Sequence, residues 1–296
     1  MRDEIKVALL GLDTSHTVTF SQKMHDPASP EEQRVQDMRV SACLRFLTPF
    51  TDTDILDERQ RQLESWGIKV TESFDEAVEG CDAVILTIND GALHLDYFLR
   101  CSGLGKPVFV DKPMADSLRN ARRIADAALE KGVRFFTSSS LRFAPDLLEA
   151  CRAVPQPVAA HVYGPVNPAK AGSSIVWYGV HAFEMLERAM GRGAARVRAL
   201  PDAHGIVNLV DYKDGRRGIV ELTTKSPLYG GCLRALEYTR PYVVDRSMIS
   251  TLILREAAAF FRGADAPVTV EDSLEVMAML DTADRSFRRR SRPMGI

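Results

Sequence analysis

One short stretch of this chain combines residue types that can move a proton. Val108-Phe109-Val110 is an apolar run of buried-strand composition, and it stops at Asp111-Lys112-Pro113. A lysine delivered to the end of a buried strand is partly desolvated and can trade protons near neutrality, which arginine cannot do. Pro113 disfavours helical geometry in the residue before it, so the backbone should hold Lys112 extended. In an open α/β sheet the C-terminal strand edge is where ligands sit.

A second stretch points to phosphate chemistry. Ile5 to Leu10 is a strand-like apolar run that breaks at Gly11, followed by Leu12, Asp13, Thr14, Ser15 and His16. This is where a dinucleotide-binding fold places its glycine-rich turn. Gly11 holds the first glycine position, while Asp13 and His16 replace the second and third. Thr14 and Ser15 still offer hydroxyls and backbone N–H groups at a helix start. Asp13 would repel a phosphate there, and reads otherwise as a helix cap. His16 would lie near a bound pyrophosphate or ribose. After the second strand, Leu44-Arg45-Phe46 puts an arginine where NAD-binding proteins carry an acidic residue, which suits a 2'-phosphate and hints at NADP.

These side chains need a scaffold, and the pattern supplies one. Strands are expected at Ile5–Leu10, Met38–Leu44, 68–70, 82–88, 106–110 and 133–137. Helices alternate with them at 51–66, 74–78 and 94–104, and again after Asp116 or Ser117, where Leu118, Ala121, Ile124, Ala125, Ala128 and Leu129 share a face. Such alternation implies an α/β, doubly wound, mostly parallel sheet over roughly residues 1–140. The polar segment Asp26–Gln36, with two prolines, reads as an insertion. From 141 to 296 the texture changes to strand-like stretches at 159–162, 205–212 and 218–225, with an Asp214-Gly215 hairpin turn. Helices at 146–153, 178–190, 244–261 and 272–288 complete an α+β domain with a largely antiparallel sheet.

Composition narrows the class. With 45% hydrophobic residues, 26% charged and a net charge of -2, a soluble globular protein is expected, with neither nucleic acid nor membrane as main partner. No apolar stretch is long enough to span a bilayer and no signal-peptide core is visible, so the expected location is cytoplasmic. The five cysteines are scattered without a C-x-x-C pair, and no histidine spacing argues for a metal.

The order of these elements resembles the glucose-fructose oxidoreductase and inositol dehydrogenase family, Gfo/Idh/MocA, over nearly the whole chain. The likeness rests on Thr87-Ile88-Asn89 with His94, on Gly105-Lys106-Pro107 with Val110-Asp111-Lys112-Pro113, on Gly179-Val180-His181, and on the closing stretch from Phe260 to Ser286. It implies an N-terminal Rossmann domain holding NAD or NADP through Gly11, Asp13, Thr14, Ser15, His16, Arg45, Thr87, Asn89, His94, Asp111 and Lys112. It also implies a second domain for substrate and subunit contact, hence a homodimer or higher homo-oligomer. Lys112 corresponds to the lysine of the family's Glu-Lys-Pro, and His181 to the histidine of its Asp-x-Gly-x-His. The expected activity is hydride transfer between nicotinamide and a sugar, polyol or related hydroxy compound, with Lys112 and His181 as acid/base pair and Tyr178 supplying a hydroxyl. Trp177 stands where the family has its aspartate, while Glu184 places a second carboxylate on the His181 face. A divergent substrate is therefore expected. Alternatives are a redox-neutral lyase or hydrolase that retains its cofactor, or a cofactor-binding sensor.

Overall fold

The computed structural model describes residues 4–296, which form two compact units. The first comprises the described residues up to Ala115, together with Arg122–Thr137 and Ser250–Thr269; the second comprises Asp116–Ala121, Ser138–Ile249 and Val270–Ile296. One boundary between the units falls near residue 138. The helix around residue 255, assigned from the sequence to the second domain, belongs with the first.

The first unit alternates strands and helices: β1 (Ile5–Leu10), α1 (Ser15–His25), β2 (Met38–Leu44), α2 (Thr53–Ser65), β3 (Lys69–Thr71), α3 (Phe74–Val78), β4 (Ala83–Leu86), α4 (His94–Cys101), β5 (Val108–Asp111), most of α5 (Leu118–Lys131) and β6 (Phe135–Ser138). The strands make a six-stranded parallel sheet in the order β3-β2-β1-β4-β5-β6. Parallel strands with helical crossovers are covered on both faces, which is why β1, β4 and β5 are nearly continuous apolar runs and are buried almost throughout. Ser117 caps α5 by accepting the Asn120 N–H. Leu129, expected on the buried face of that helix, is instead 86% exposed, because Ala121, Ile124 and Ala128 define the packed stripe.

The polar segment after α1 has a structural task. Gln33 O accepts a hydrogen bond from Thr251 Oγ1 at 2.8 Å, and Glu32 O accepts one from Arg255 at 2.8 Å. Both donors lie on or beside a helix that returns to this unit late in the chain.

The second unit contains α6 (Pro145–Ala153), β7 (Ala159–Pro165), α7 (Ser174–Trp177), α8 (Val180–Met190), β8 (Ala194–Pro201), β9 (Gly205–Tyr212), β10 (Arg217–Thr223), β11 (Gly230–Arg234) and β12 (Thr239–Val243). The returning helix α9 (Ile249–Phe261) follows, then α10 (Val270–Arg288) and β13 (Met294–Gly295). The seven-stranded sheet runs β12-β11-β7-β10-β9-β8-β13, antiparallel except for β7 beside β10. Helices α8 and α10 pack on it. Strand β12 has no counterpart among the expected strands, since its Thr-Arg-Pro-Tyr-Val buries only Tyr242, and α9 begins five residues later than the pattern predicted. An edge strand tolerates that proline because its N–H side needs no partner. No helix among the described residues is long and apolar enough to cross a membrane.

Candidate functional site

The turn after β1 lies at the C-terminal edge of the first sheet. Gly11 sits at φ 115°, and a Cβ there would fall 2.7 Å from the Ile88 backbone N, so the turn approaches the end of β4 as only glycine permits. Thr87, just after β4, donates its hydroxyl to the Gly11 carbonyl at 2.8 Å and fixes that approach. Thr87 is fully buried and so braces the turn rather than facing a ligand.

Asp13 neither caps the helix nor faces outward. The cap of α1 is Thr14, which accepts the His16 N–H. Asp13 is buried with its carboxylate turned inward, where Oδ1 accepts the Asn89 N–H at 2.9 Å and Oδ2 accepts the Thr48 hydroxyl at 2.8 Å. Burial raises its pKa against the lowering effect of those bonds. The repulsion expected for a phosphate is thereby removed: Asp13 points away, and the first turn of α1 carries no acidic residue. Exposed Ser15 and part-exposed His16 flank a helix N-terminus whose N–H groups suit a pyrophosphate, so the residues present fit a dinucleotide.

His16 meets Asp111 from the other side of the edge. Its Nδ1 lies 2.6 Å from Asp111 Oδ2, joining the turn to the end of β5. Burial alone would push the Asp111 carboxyl up; the His16 charge and hydrogen bond, with Lys112 beside them, hold it below the usual carboxylate range. Lys112 is buried at 7% exposure, and the bond to Pro113 is cis. Burial lowers the Lys112 pKa, with Asp111 and Asp13 opposing part of the shift. The strand end thus presents an ammonium that gives up its proton more readily than a surface lysine.

The remaining first-unit candidates divide clearly. His94 is fully buried, with Nε2 2.7 Å from the Ile88 carbonyl, and ties α4 to the β4 loop. Asn89 spends its N–H on Asp13. Arg45, expected to await a 2'-phosphate, is held by Asp57 and Gln60 of α2, both at 2.5 Å.

In the second unit, His181 lies in the first turn of α8. Gly179 precedes it because a Cβ there would fall 2.5 Å from the Ile175 carbonyl. His181 Nδ1 is 2.7 Å from Ser139 Oγ, which also accepts the Leu141 N–H. The serine hydroxyl thus ties the imidazole to the start of the Ser140–Phe143 turn. Tyr178 and Tyr229 flank the imidazole edge-on, each with ring centroids 5.7 Å away. The expected helix-face carboxylate, Glu184, acts at one remove: Oε1 accepts the Ser139 N–H at 3.3 Å and Oε2 pairs with Arg142 at 3.2 Å. Arg142 also pairs with Glu187 at 2.5 Å, and all three charges are buried. Burial pushes Glu184 up to about 7 despite Arg142. Ser139 and Arg142 carried no sequence signal.

Comparison with known proteins agrees with this picture. A model for the oxidoreductase family with NAD-binding Rossmann fold, Gfo/Idh/MocA, matches residues 47–139. Over that stretch the chain resembles this family. The rhizopine catabolism protein MocA of Rhizobium meliloti is 24% identical over 193 residues, covering 56% of this chain and 60% of MocA. YceM of Salmonella typhimurium is 34% identical over 89 residues, 30% of this chain. These stretches span 60% and 29% of the two relatives' own lengths. Among solved structures, GenD2 from gentamicin A biosynthesis in complex with NAD has a TM-score of 0.80 at 18% identity, covering 100% of this chain and 97% of that one. Scyllo-inositol dehydrogenase from Lactobacillus casei with NAD(H) and scyllo-inositol has a TM-score of 0.78 at 15% identity, covering 99% of each. At such identities the structural likeness establishes the fold.

Proposed function

We propose that this Gfo/Idh/MocA protein is an NAD(P)-dependent oxidoreductase moving hydride between nicotinamide and a sugar, polyol or related hydroxy compound, with Lys112 and His181 as the acid/base pair. The observation that carries this reading is the buried Lys112, its pKa lowered, at the C-terminal end of a strand in an NAD-binding Rossmann sheet. Bound nicotinamide supplies the hydride acceptor or donor. The helix start at Thr14 and Ser15 holds the pyrophosphate, and Asp111 with His16 fixes the strand end that carries Lys112. An alcohol that loses hydride must also lose its hydroxyl proton, and a lysine of lowered pKa accepts it. His181, held by the Ser139 hydroxyl, is the second proton-transfer group, and Tyr178 contributes its hydroxyl.

The relatives that bind inositols and NAD support a polyhydroxy substrate. Arg45 accepts a 2'-phosphate only by giving up Asp57, which weighs on the side of NAD. The test is a fluorescence titration with NADH and NADPH, followed by turnover of Lys112→Met. Cofactor affinity should stay within about twofold while turnover falls by ~10²–10⁴-fold. Wild-type protein that binds neither nucleotide ends the proposal.

The second sheet leaves Tyr163, Val207, Leu209 and Ile219 half-exposed on its open side. A second copy of the chain covers such a face readily, so the protein works as a homo-oligomer. Light scattering should return at least twice the 32.8 kDa chain mass; a monomer at micromolar concentration contradicts it.

A further inference from the structure

Beside Tyr178, wholly within the second unit, lies a cavity of about 280 Å³, close to the lower end of the size range for small-molecule sites. Its lining includes Asn167, Tyr178, Thr224, Ser226, Lys225 and Arg246, and no carboxylate. The absence of acid is unusual for this unit. Arg142, Arg192, Arg196, Arg216, Arg240, Arg285 and Arg288 each face an aspartate or glutamate. The nearest acid in sequence, Asp245, spends both oxygens on the N–H and hydroxyl of Ser247, at 2.9 Å each. Those bonds hold its pKa down, so it stays an acceptor for Ser247.

Both cations line the cavity from exposed positions, and the backbone around one of them is fixed. The Lys225 N–H donates to Thr223 Oγ1 at 3.1 Å, which fixes the backbone where β10 ends, and Ser226 Oγ accepts the Leu228 N–H at 3.2 Å. The Arg246 charge acts on Tyr229, the residue whose hydroxyl is hydrogen-bonded to that of Tyr178. Arg246 and Tyr178, the phenol expected to face substrate, line the same cavity. Two positive groups in one concavity, with hydroxyl and amide groups between them, make a site for an oxyanion that also carries hydroxyls.

We infer that the hydroxy compound turned over by this protein is an acid: its carboxylate or phosphate lies between Lys225 and Arg246, and its hydroxyls face Asn167, Thr224 and Tyr178. The catalytic use of this cavity rests on the oxidoreductase reading above; the anion site itself is read by binding alone. The experiment is calorimetric titration of the full chain with D-gluconate, D-glucose 6-phosphate and the neutral D-glucitol at matched ionic strength. It is repeated on Lys225→Met, Arg246→Met and the double variant, with NADH affinity measured on each. At least one anion should bind ten or more times tighter than glucitol, and whether gluconate or the phosphate ester leads identifies the charged group. Each single variant should lose about tenfold in anion affinity and the double variant about a hundredfold, with NADH and glucitol affinity unchanged. Equal binding of anions and glucitol, no binding of either anion, or a double variant that keeps its anion affinity overturns the inference. Anion binding that follows this pattern in a protein without NADH binding leaves the site standing and removes the oxidoreductase reading.

Discussion

The turn after β1 and the start of α8 each lack a residue that the family pattern supplies, and the two regions are rebuilt by different chemistry. At the turn, the aspartate standing in for a glycine is folded inward onto the Asn89 N–H and the Thr48 hydroxyl, leaving the helix start clear for an anion. At α8, Trp177 stands where that pattern has its aspartate. The Ser139 hydroxyl lies against the imidazole, while the Ser139 N–H is held by Glu184, which is paired in turn with Arg142. The first solution buries one charge on two neutral donors; the second buries three charges that depend on one another. The cost of disturbing the two arrangements should therefore differ.

The widest gap between them appears when a partner is removed. Arg142→Met strands Glu184 and Glu187 without counter-charge and should destabilise the protein by ~3–5 kcal/mol, read as a shift in urea midpoint. Adding Glu184→Gln and Glu187→Gln to that variant should recover much of the loss. A single variant as stable as wild type would show that the network is not under the electrostatic load described. Asp13→Ala removes the acceptor of one part-buried N–H and one buried hydroxyl and no counter-charge, so a smaller loss of ~1–3 kcal/mol is expected. Asp13→Gly restores the family's residue type but not the bonds, and should be less stable than wild type. If it melts higher, the inward carboxylate is not what holds the turn.

The smallest effect concerns pH. The Glu184 carboxyl is held up to about 7, above the ordinary 4.5 that it regains on unfolding. Its contribution to stability is thus fully present below about 4.5 and is lost as pH rises through about 7. The stability difference between wild type and Glu184→Gln should drift against wild type across that window, as followed by thermal melts between pH 5 and 8. A difference that stays flat would place Glu184 in a more hydrated setting than its burial implies.

The two regions also show what a sequence can disclose. Apolar runs gave β1, β2, β4 and β5, because a strand buried on both faces needs such residues locally. Lys112 was legible for the same reason: its strand and its proline are its neighbours in sequence. The partners were not. Asp13 finds Thr48 35 residues on and Asn89 76 residues on, while His16 reaches Asp111 across 95. Ser139 lies 42 residues from His181. Each side chain alone reads as a cap, a loop residue or a solvated charge, and only the folded sheet edge decides otherwise. Edge strand β12 was illegible for another reason: one buried side chain in five leaves no alternation to detect.

Helix α9 carries a consequence for how the chain is made. Phe260 packs edge-on against Phe136 of β6 at 5.1 Å, and Arg134 donates to the carbonyls of Phe260 and Ala264. The nucleotide-binding half is therefore missing a wall until residues some 120 positions downstream have been synthesised. On the ribosome its outermost strand waits, apolar side uncovered, through translation of β7 to β12, and an expression fragment cut near residue 140 would carry that bare surface permanently.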